Sequence, residues 1–181
     1  MAKRKSKKAA AKSDGPPRKK AKRPAKKRPA ADEEMPRIGW KETIDLPEWH
    51  LEGVLSKSDT GAQTSAIDAE EVIQPKKGRV RFTVVGRRKG TSRRKMIEAD
   101  VVREVSVRSS NGKMETRYVV ATPVKVGGTK FMTEFTLVSR HSMRCRVLLG
   151  RAALAGRFLV DSEHTYLLSE PPAATTKKAR R

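Results

Sequence analysis

The sequence predicts an all-β domain, a closed barrel or sandwich of short strands with one short helix, carried behind a basic arm. Three observations lead there. Apolar residues recur in short, often alternating runs. Turn residues separate those runs at close intervals. Only one segment has the composition of a helix, so strands do not alternate with helices as they would in a doubly wound α/β sheet. No repeat of solenoid period is visible.

In chain order, Val80–Val85 (VRFTVV) reads as a strand, and the cationic stretch 86–95 (GRRKGTSRRK) after it as a loop. Val101–Val107 alternates, and Tyr118–Val126 is largely apolar. Between them lies Ser109-Ser110-Asn111-Gly112-Lys113, where Asn-Gly signals a hairpin tip because both residues tolerate positive φ. Gly127-Gly128 makes a second tight turn into the alternating Lys130–Val138. Val147–Gly150, Phe158–Val160 and Tyr166–Leu168 complete the strands. Arg151–Ala155 (RAALA) is the helix, with Gly156 placed as its C-terminal cap. Trp40 and Trp49 read as core or edge packing rather than as base-stacking groups, since no basic–aromatic interleaving surrounds them.

Charge divides the 181 residues into three parts. Residues 1–34 carry 14 Lys and Arg against 4 acids and have no apolar periodicity, so they are expected to form a disordered arm. Residues 35–169 carry 24 against 15 and are long enough for a real core. Residues 170–181 read as a short basic tail. The arm fits sequence-independent contact with nucleic acid through counterion release, or, more plainly, a solvating tail. No run approaches the ~20 apolar residues of a membrane span, and no apolar stretch follows the charged start as it would in a secretory signal. The lone Cys145 excludes an internal disulfide and fits a reducing compartment. The expected place is the cytoplasm, with association with the nucleoid as an extension of it.

The chemistry is carried by Asp59-Thr60-Gly61-Ala62, followed by Gln63-Thr64-Ser65-Ala66. Alone, the tetrapeptide is equally a strand-ending turn. After the intervening strands comes Val147-Leu148-Leu149-Gly150-Arg151-Ala152-Ala153-Leu154. The two halves together resemble the retropepsin-like aspartic proteases. Adding Ile38-Gly39-Trp40 and Gly156-Arg157-Phe158-Leu159-Val160-Asp161, the block is similar to a bacterial and archaeal group labelled ATP-dependent zinc proteases and associated with ATP-grasp ligases. The resemblance spans residues 37–168. The zinc and ATP of that label find no counterpart in the residues. His50, His141 and His164 are scattered, His141 and Cys145 alone do not make a site, and there is neither H-E-x-x-H nor G-x-x-x-x-G-K. No metal and no cofactor are expected.

The resemblance implies a retropepsin-like closed barrel and an aspartic endopeptidase. Such chemistry needs two carboxylates sharing one proton, and the chain has one Asp-Thr-Gly. A homodimer pairing two Asp59 side chains is therefore implied, with a peptide or protein as substrate. Thr60 would lock the two loops across the axis, Gly61 admit the substrate backbone, and Ala62 keep the cleft floor clear. Gln63, Leu148, Leu149 and Gly150 would bind substrate, with Gly150 letting its strand cross behind the Asp loop. Ser109–Lys113 would tip the flap, with 86–95 as an insertion, although the two roles are exchangeable. Two positions depart from the family. Ser58 stands where an apolar residue usually precedes the aspartate, and Gln63 stands where an acid often pairs with the Arg of Gly-Arg, so Arg151 needs another partner. Two other readings compete: a catalytically silent peptide-binding module, and a DNA binder in which the β domain dimerises basic arms.

Overall fold

The computed structural model describes residues 35–88, 91–108 and 114–172. It is built almost wholly of strands: β1 (Arg37–Gly39), β2 (Lys41–Leu46), β3 (Leu51–Asp59), β4 (Ser65–Asp68), β5 (Glu70–Lys76), β6 (Arg79–Arg88), β7 (Thr91–Arg108), β8 (Met114–Val126), β9 (Thr129–Val138), β10 (Val147–Gly150) and β11 (Leu159–Asp161). One helix, α1, covers Arg151–Leu154, and a single 3-10 turn, Pro47–Trp49, joins β2 to β3. Among the described residues no helix is long and apolar enough to cross a membrane.

The sheet runs β2-β3-β10-β4-β9-β8, and β8 returns to β2 at Asp45 and Lys125, closing a six-stranded barrel. β7, β6 and β5 extend the sheet beyond β8, and β6 touches back on β3 at Glu52. Closure follows from alternation. In β2 (KETIDL) every second residue, Glu42, Ile44 and Leu46, is buried. β9 turns Phe131, Thr133, Phe135 and Leu137 inward. They meet Ile67 of β4, Leu149 of β10 and Val54 of β3 in one continuous core. Trp49 caps one end, its ring edge-on to Phe82 at 5.5 Å. Pro123 is tolerated inside β8 because it sits after β8 has parted from β7 at Val120 and before it reaches β2 at Lys125.

Three sequence expectations need correction. Residues 86–88 and 91–95 continue two strands rather than forming a loop, with 89 and 90 outside the described residues: Val85 pairs with Arg94, Gly86 with Arg93 and Arg88 with Thr91. Their cations suggested solvated coil, yet Arg94 is met by Glu70 at 2.7 Å, and farther down the same hairpin Arg81 pairs with Glu98. Long cationic side chains suit the exposed face of a ribbon as well as they suit a loop. Tyr166–Leu168 forms no strand, because its N–H groups go elsewhere: Tyr166 donates to the Lys41 carbonyl and Leu167 to the Glu42 carboxyl. Helix α1 ends one residue early, and Gly156 follows it at φ +70°, a conformation L side chains rarely adopt. The Gly127-Gly128 turn is as read, with Val126 opposite Thr129. The arm 1–34, the flap tip 109–113 and tail residues 173–181 lie outside the described residues.

Glu42 ties the two ends of the domain together. It is fully buried and points into the space between β1 and the closing segment. Its Oε1 accepts from Gly39 N at 2.9 Å and Leu167 N at 2.8 Å, and its Oε2 from Ser169 Oγ at 2.5 Å. Replacing it by Ala would leave buried N–H groups without partners, which costs roughly 2–4 kcal/mol. Glu42→Ala should lower the urea midpoint accordingly, and an unchanged midpoint would show that the clamp contributes nothing to folding.

Candidate active site

Asp59 is the last residue of β3, and two neighbours decide where it points. β2 holds β3 on one side, and β10 runs parallel on the other, with Leu149 beside Ser58 and Gly150 beside Asp59. Ser58, the polar residue at a position where an apolar one is usual, is buried and fully engaged. Its Oγ donates to the Gly39 carbonyl at 2.9 Å and its N–H to the Trp40 carbonyl at 2.9 Å. The strand therefore enters the loop anchored by hydrogen bonds rather than by packing.

The loop folds around the carboxylate. Asp59 Oδ1 accepts from Gly61 N at 3.0 Å and from Ala62 N at 3.1 Å, an Asx turn that fixes the side chain. Among the described residues Oδ2 has no hydrogen-bond partner. The loop is then bound to α1: Arg151 N donates to the Ala62 carbonyl at 2.8 Å and Ala152 N to the Gln63 carbonyl at 3.1 Å. The Arg151 guanidinium reaches Thr60 O at 2.9 Å, Gly61 O at 3.1 Å and Gln63 Oε1 at 3.1 Å. An amide oxygen and two carbonyls thus do for Arg151 what a carboxylate would.

Gly150 is where this arrangement is tightest. A Cβ there would lie 2.5 Å from both carbon and oxygen of the Thr64 carbonyl and 3.0 Å from Ala62 O. The strand can lie this close to the loop because the side chain is absent. Gly150 N also donates to Ser65 Oγ at 3.1 Å, within the buried interior.

A cleft of about 500 Å³ opens beside Asp59. Leu148 lines it, together with Lys57 and five residues of the connection 139–146 between β9 and β10: Arg140, Ser142, Met143, Arg144 and Cys145. Alternation along β10 separates the two leucines, so Leu148 faces the cleft while Leu149 is fully buried in the core. Thr60, Gly61 and Gln63 are exposed at the loop tip, and Gln63 holds Arg151 instead of lining the cleft. The flap residues Ser109, Ser110, Asn111, Gly112 and Lys113 lie outside the described residues. Burial pushes the Cys145 thiol above its ordinary pKa, against the lowering pull of Lys41, Arg140 and Arg144.

The cleft cations were not singled out from sequence. Arg140-His-Ser-Met-Arg144-Cys-Arg146 stands directly before Val147–Gly150, and that adjacency is the signal that could have found them. Lys57, Arg140 and Arg144 make no ion pair among the described residues, and Asp59 is the one acid lining this cleft.

A family model described as RimB-like, retropepsin-like aspartic endopeptidase RimB, matches residues 37–171. The chain is 34% identical over 136 residues to a protein of Shewanella pealeana named "Probable alpha-L-glutamate ligase", and 31% identical over 136 residues to one of the same name from Parasynechococcus marenigrum. Each match covers 74% of this chain, which spans only 30% and 29% of the length of those two relatives. A crystal structure of a Legionella pneumophila protein of unknown function shares 27% identity at a TM-score of 0.59, covering 72% of this chain and 96% of that one.

Gly150→Ala should cost about 1–3 kcal/mol, since the new methyl must displace the Thr64 carbonyl. Denaturant unfolding measures this, and wild-type stability would mean that β10 can shift away from the loop freely. At pH 7.5 Cys145 should react with iodoacetamide more slowly than an unstructured cysteine, because a raised pKa leaves less thiolate. Its rate should climb with pH beyond the point where a free thiol levels off, and a faster rate at neutral pH would contradict the shift.

Proposed function

The chain belongs to the RimB-like family of retropepsin-like aspartic endopeptidases, and on that premise we propose that it hydrolyses peptide bonds as a homodimer, with acidic peptides as substrates. The observation that carries this reading is the Asp59 loop. It holds a carboxylate by one oxygen, leaves the other without a partner among the described residues, and sets it on an open cleft. One such group cannot serve as both base and acid. A second copy of the loop, approaching through the exposed Thr60 and Gly61, would supply the other.

With two Asp59 side chains face to face, like charge keeps one of them protonated. The ionised carboxylate takes a proton from water as its oxygen attacks the scissile carbonyl carbon. The protonated one gives its proton to the carbonyl oxygen. Collapse of the tetrahedral intermediate breaks the C–N bond, the amine leaves with a proton, and the dyad returns to its singly protonated state.

Three cations without carboxylate partners among the described residues favour substrates bearing carboxylates. The naming of the longer relatives as alpha-L-glutamate ligases supports glutamate-containing peptides as the ones to try. In this reading Arg140 and Arg144 meet side-chain carboxylates, Leu148 offers the apolar wall, and Gly150 keeps the floor tight behind Asp59.

Asp59→Asn should lower cleavage of a glutamate-rich peptide by ~10²–10⁴-fold or more while the protein remains folded. Sedimentation of wild type should show a dimer at moderate salt, where repulsion between two basic copies is screened. A variant that cuts at the wild-type rate, or a strict monomer that still cuts, would end the dyad mechanism.

A further inference from the structure

We infer that Asp68 is the positioning residue that decides which peptides the cleft accepts, by clamping the cationic connection 139–146 against it. The inference rests on the peptidase reading for its kinetic assay, and on β-sheet topology for its geometry.

β4 lies between β9, to which it is parallel, and β10, to which it is antiparallel. The end of β4 therefore lies next to both the exit of β9 and the entry of β10. Asp68 pairs with Val138, the last residue of β9, and Ile67 with Val147, the first of β10. A side chain at this position can reach both ends of the connection. Asp68 does so while only 1% exposed. Its Oδ1 accepts from Arg140 N, its Oδ2 from the Arg146 guanidinium, and its own N–H donates to Arg146 O at 2.8 Å.

What the clamp holds is the cationic wall of the cleft. Between its two ends, Met143 N donates to Arg140 O at 2.8 Å, which turns the connection back on itself. Arg140 and Arg144 face the cavity that contains Asp59. Met143 and Arg144 also line a second cavity of about 340 Å³, with Arg146 and Tyr166, so one short segment walls two adjoining spaces. Neither Arg140 nor Arg144 is neutralised by a carboxylate among the described residues. Asp68 spends its charge on Arg146 and the Arg140 backbone. The Arg140 guanidinium donates only to neutral groups of the same segment, the Cys145 carbonyl at 3.4 Å and Met143 Sδ at 3.7 Å, so its charge and that of Arg144 remain unneutralised by any carboxylate among the described residues.

Asp59, by contrast, is fixed by β3, by Gly150 at the far end of β10 and by its own loop, whereas the Asp68 carboxylate bonds, among the described residues, only Arg140 and Arg146 at the near end of β10. Loosening the clamp should disturb recognition and spare chemistry. That distinguishes it from a residue that merely stabilises the fold.

The test uses the full chain and two peptides of equal length, one glutamate-rich and one with glutamine in place of each glutamate. Asp68→Asn is expected to raise KM for the glutamate peptide ~10-fold or more, with kcat within about 3-fold and kcat/KM for the glutamine peptide within about 2-fold. Arg146→Gln, which breaks the clamp without touching the carboxylate, should shift the same KM in the same direction and serves should Asp68→Asn not fold. Equal losses on both peptides, or an unchanged KM in both variants, would overturn the assignment. Binding of the same labelled peptides to Asp59→Asn, with and without Asp68→Asn, is read by fluorescence anisotropy and needs no catalysis. Selective loss of glutamate-peptide binding there upholds the clamp even if wild type cleaves neither peptide, an outcome that sinks only the peptidase reading. Wild type binding neither peptide would overturn both.

Discussion

The arrangement of this site depends on a single close approach, that of Gly150 to the carbonyl of Thr64. It lets β10 lie parallel to β3 with its end level with Asp59, and it lets Arg151 begin a helix directly against the Asp loop. The carboxylate itself is oriented locally, by Gly61 N and Ala62 N, and the contact seats the loop that does so. The loop's carbonyls are presented to Arg151 only because the backbone of β10 can lie against them. One missing methyl group lets strand and loop lie this close.

Much of this was legible in the sequence, for physical reasons that differ by element. Asp59-Thr60-Gly61-Ala62 and Leu148-Leu149-Gly150-Arg151 were readable because their constraints are local: a turn that needs a small residue, a strand that needs apolar ones. The two leucines looked equivalent in sequence, and only the facing of β10 in a closed barrel separates Leu148 from Leu149. Residues 86–88 and 91–95 were read as loop because cations in strands leave the same compositional mark as cations in coil. The acids that answer Arg94, at 70 and 71, come from another strand. Glu42 and Asp68 were invisible for the same reason. A buried carboxylate is recognised by its donors, and theirs lie 125 and 72 positions away along the chain.

Two groups of cations in the domain contrast. Arg79 and Arg81 on the β6–β7 ribbon are answered across the sheet by Asp100 and Glu98, and being largely exposed these pairs contribute little each. Lys57, Arg140 and Arg144 beside Asp59 have no carboxylate partner among the described residues, and Asp59 is the one acid lining that cleft, so the local field over it is positive.

The stitching of the first and last segments has a mechanical consequence. Residues 36–43 and 159–170 run side by side in the same direction, joined by Leu159 N to Pro36 O, Trp40 N to His164 O, Tyr166 N to Lys41 O and Thr43 N to Ser169 Oγ. A pull that separates the two ends of the domain would not peel these contacts open one after another. It would load them together, in shear, along the length of the seam. The domain should thus resist extension between its ends far better than its short terminal strands suggest, and a pulling force or an unfolding protease acting there would have to break the Glu42 junction before the barrel opens.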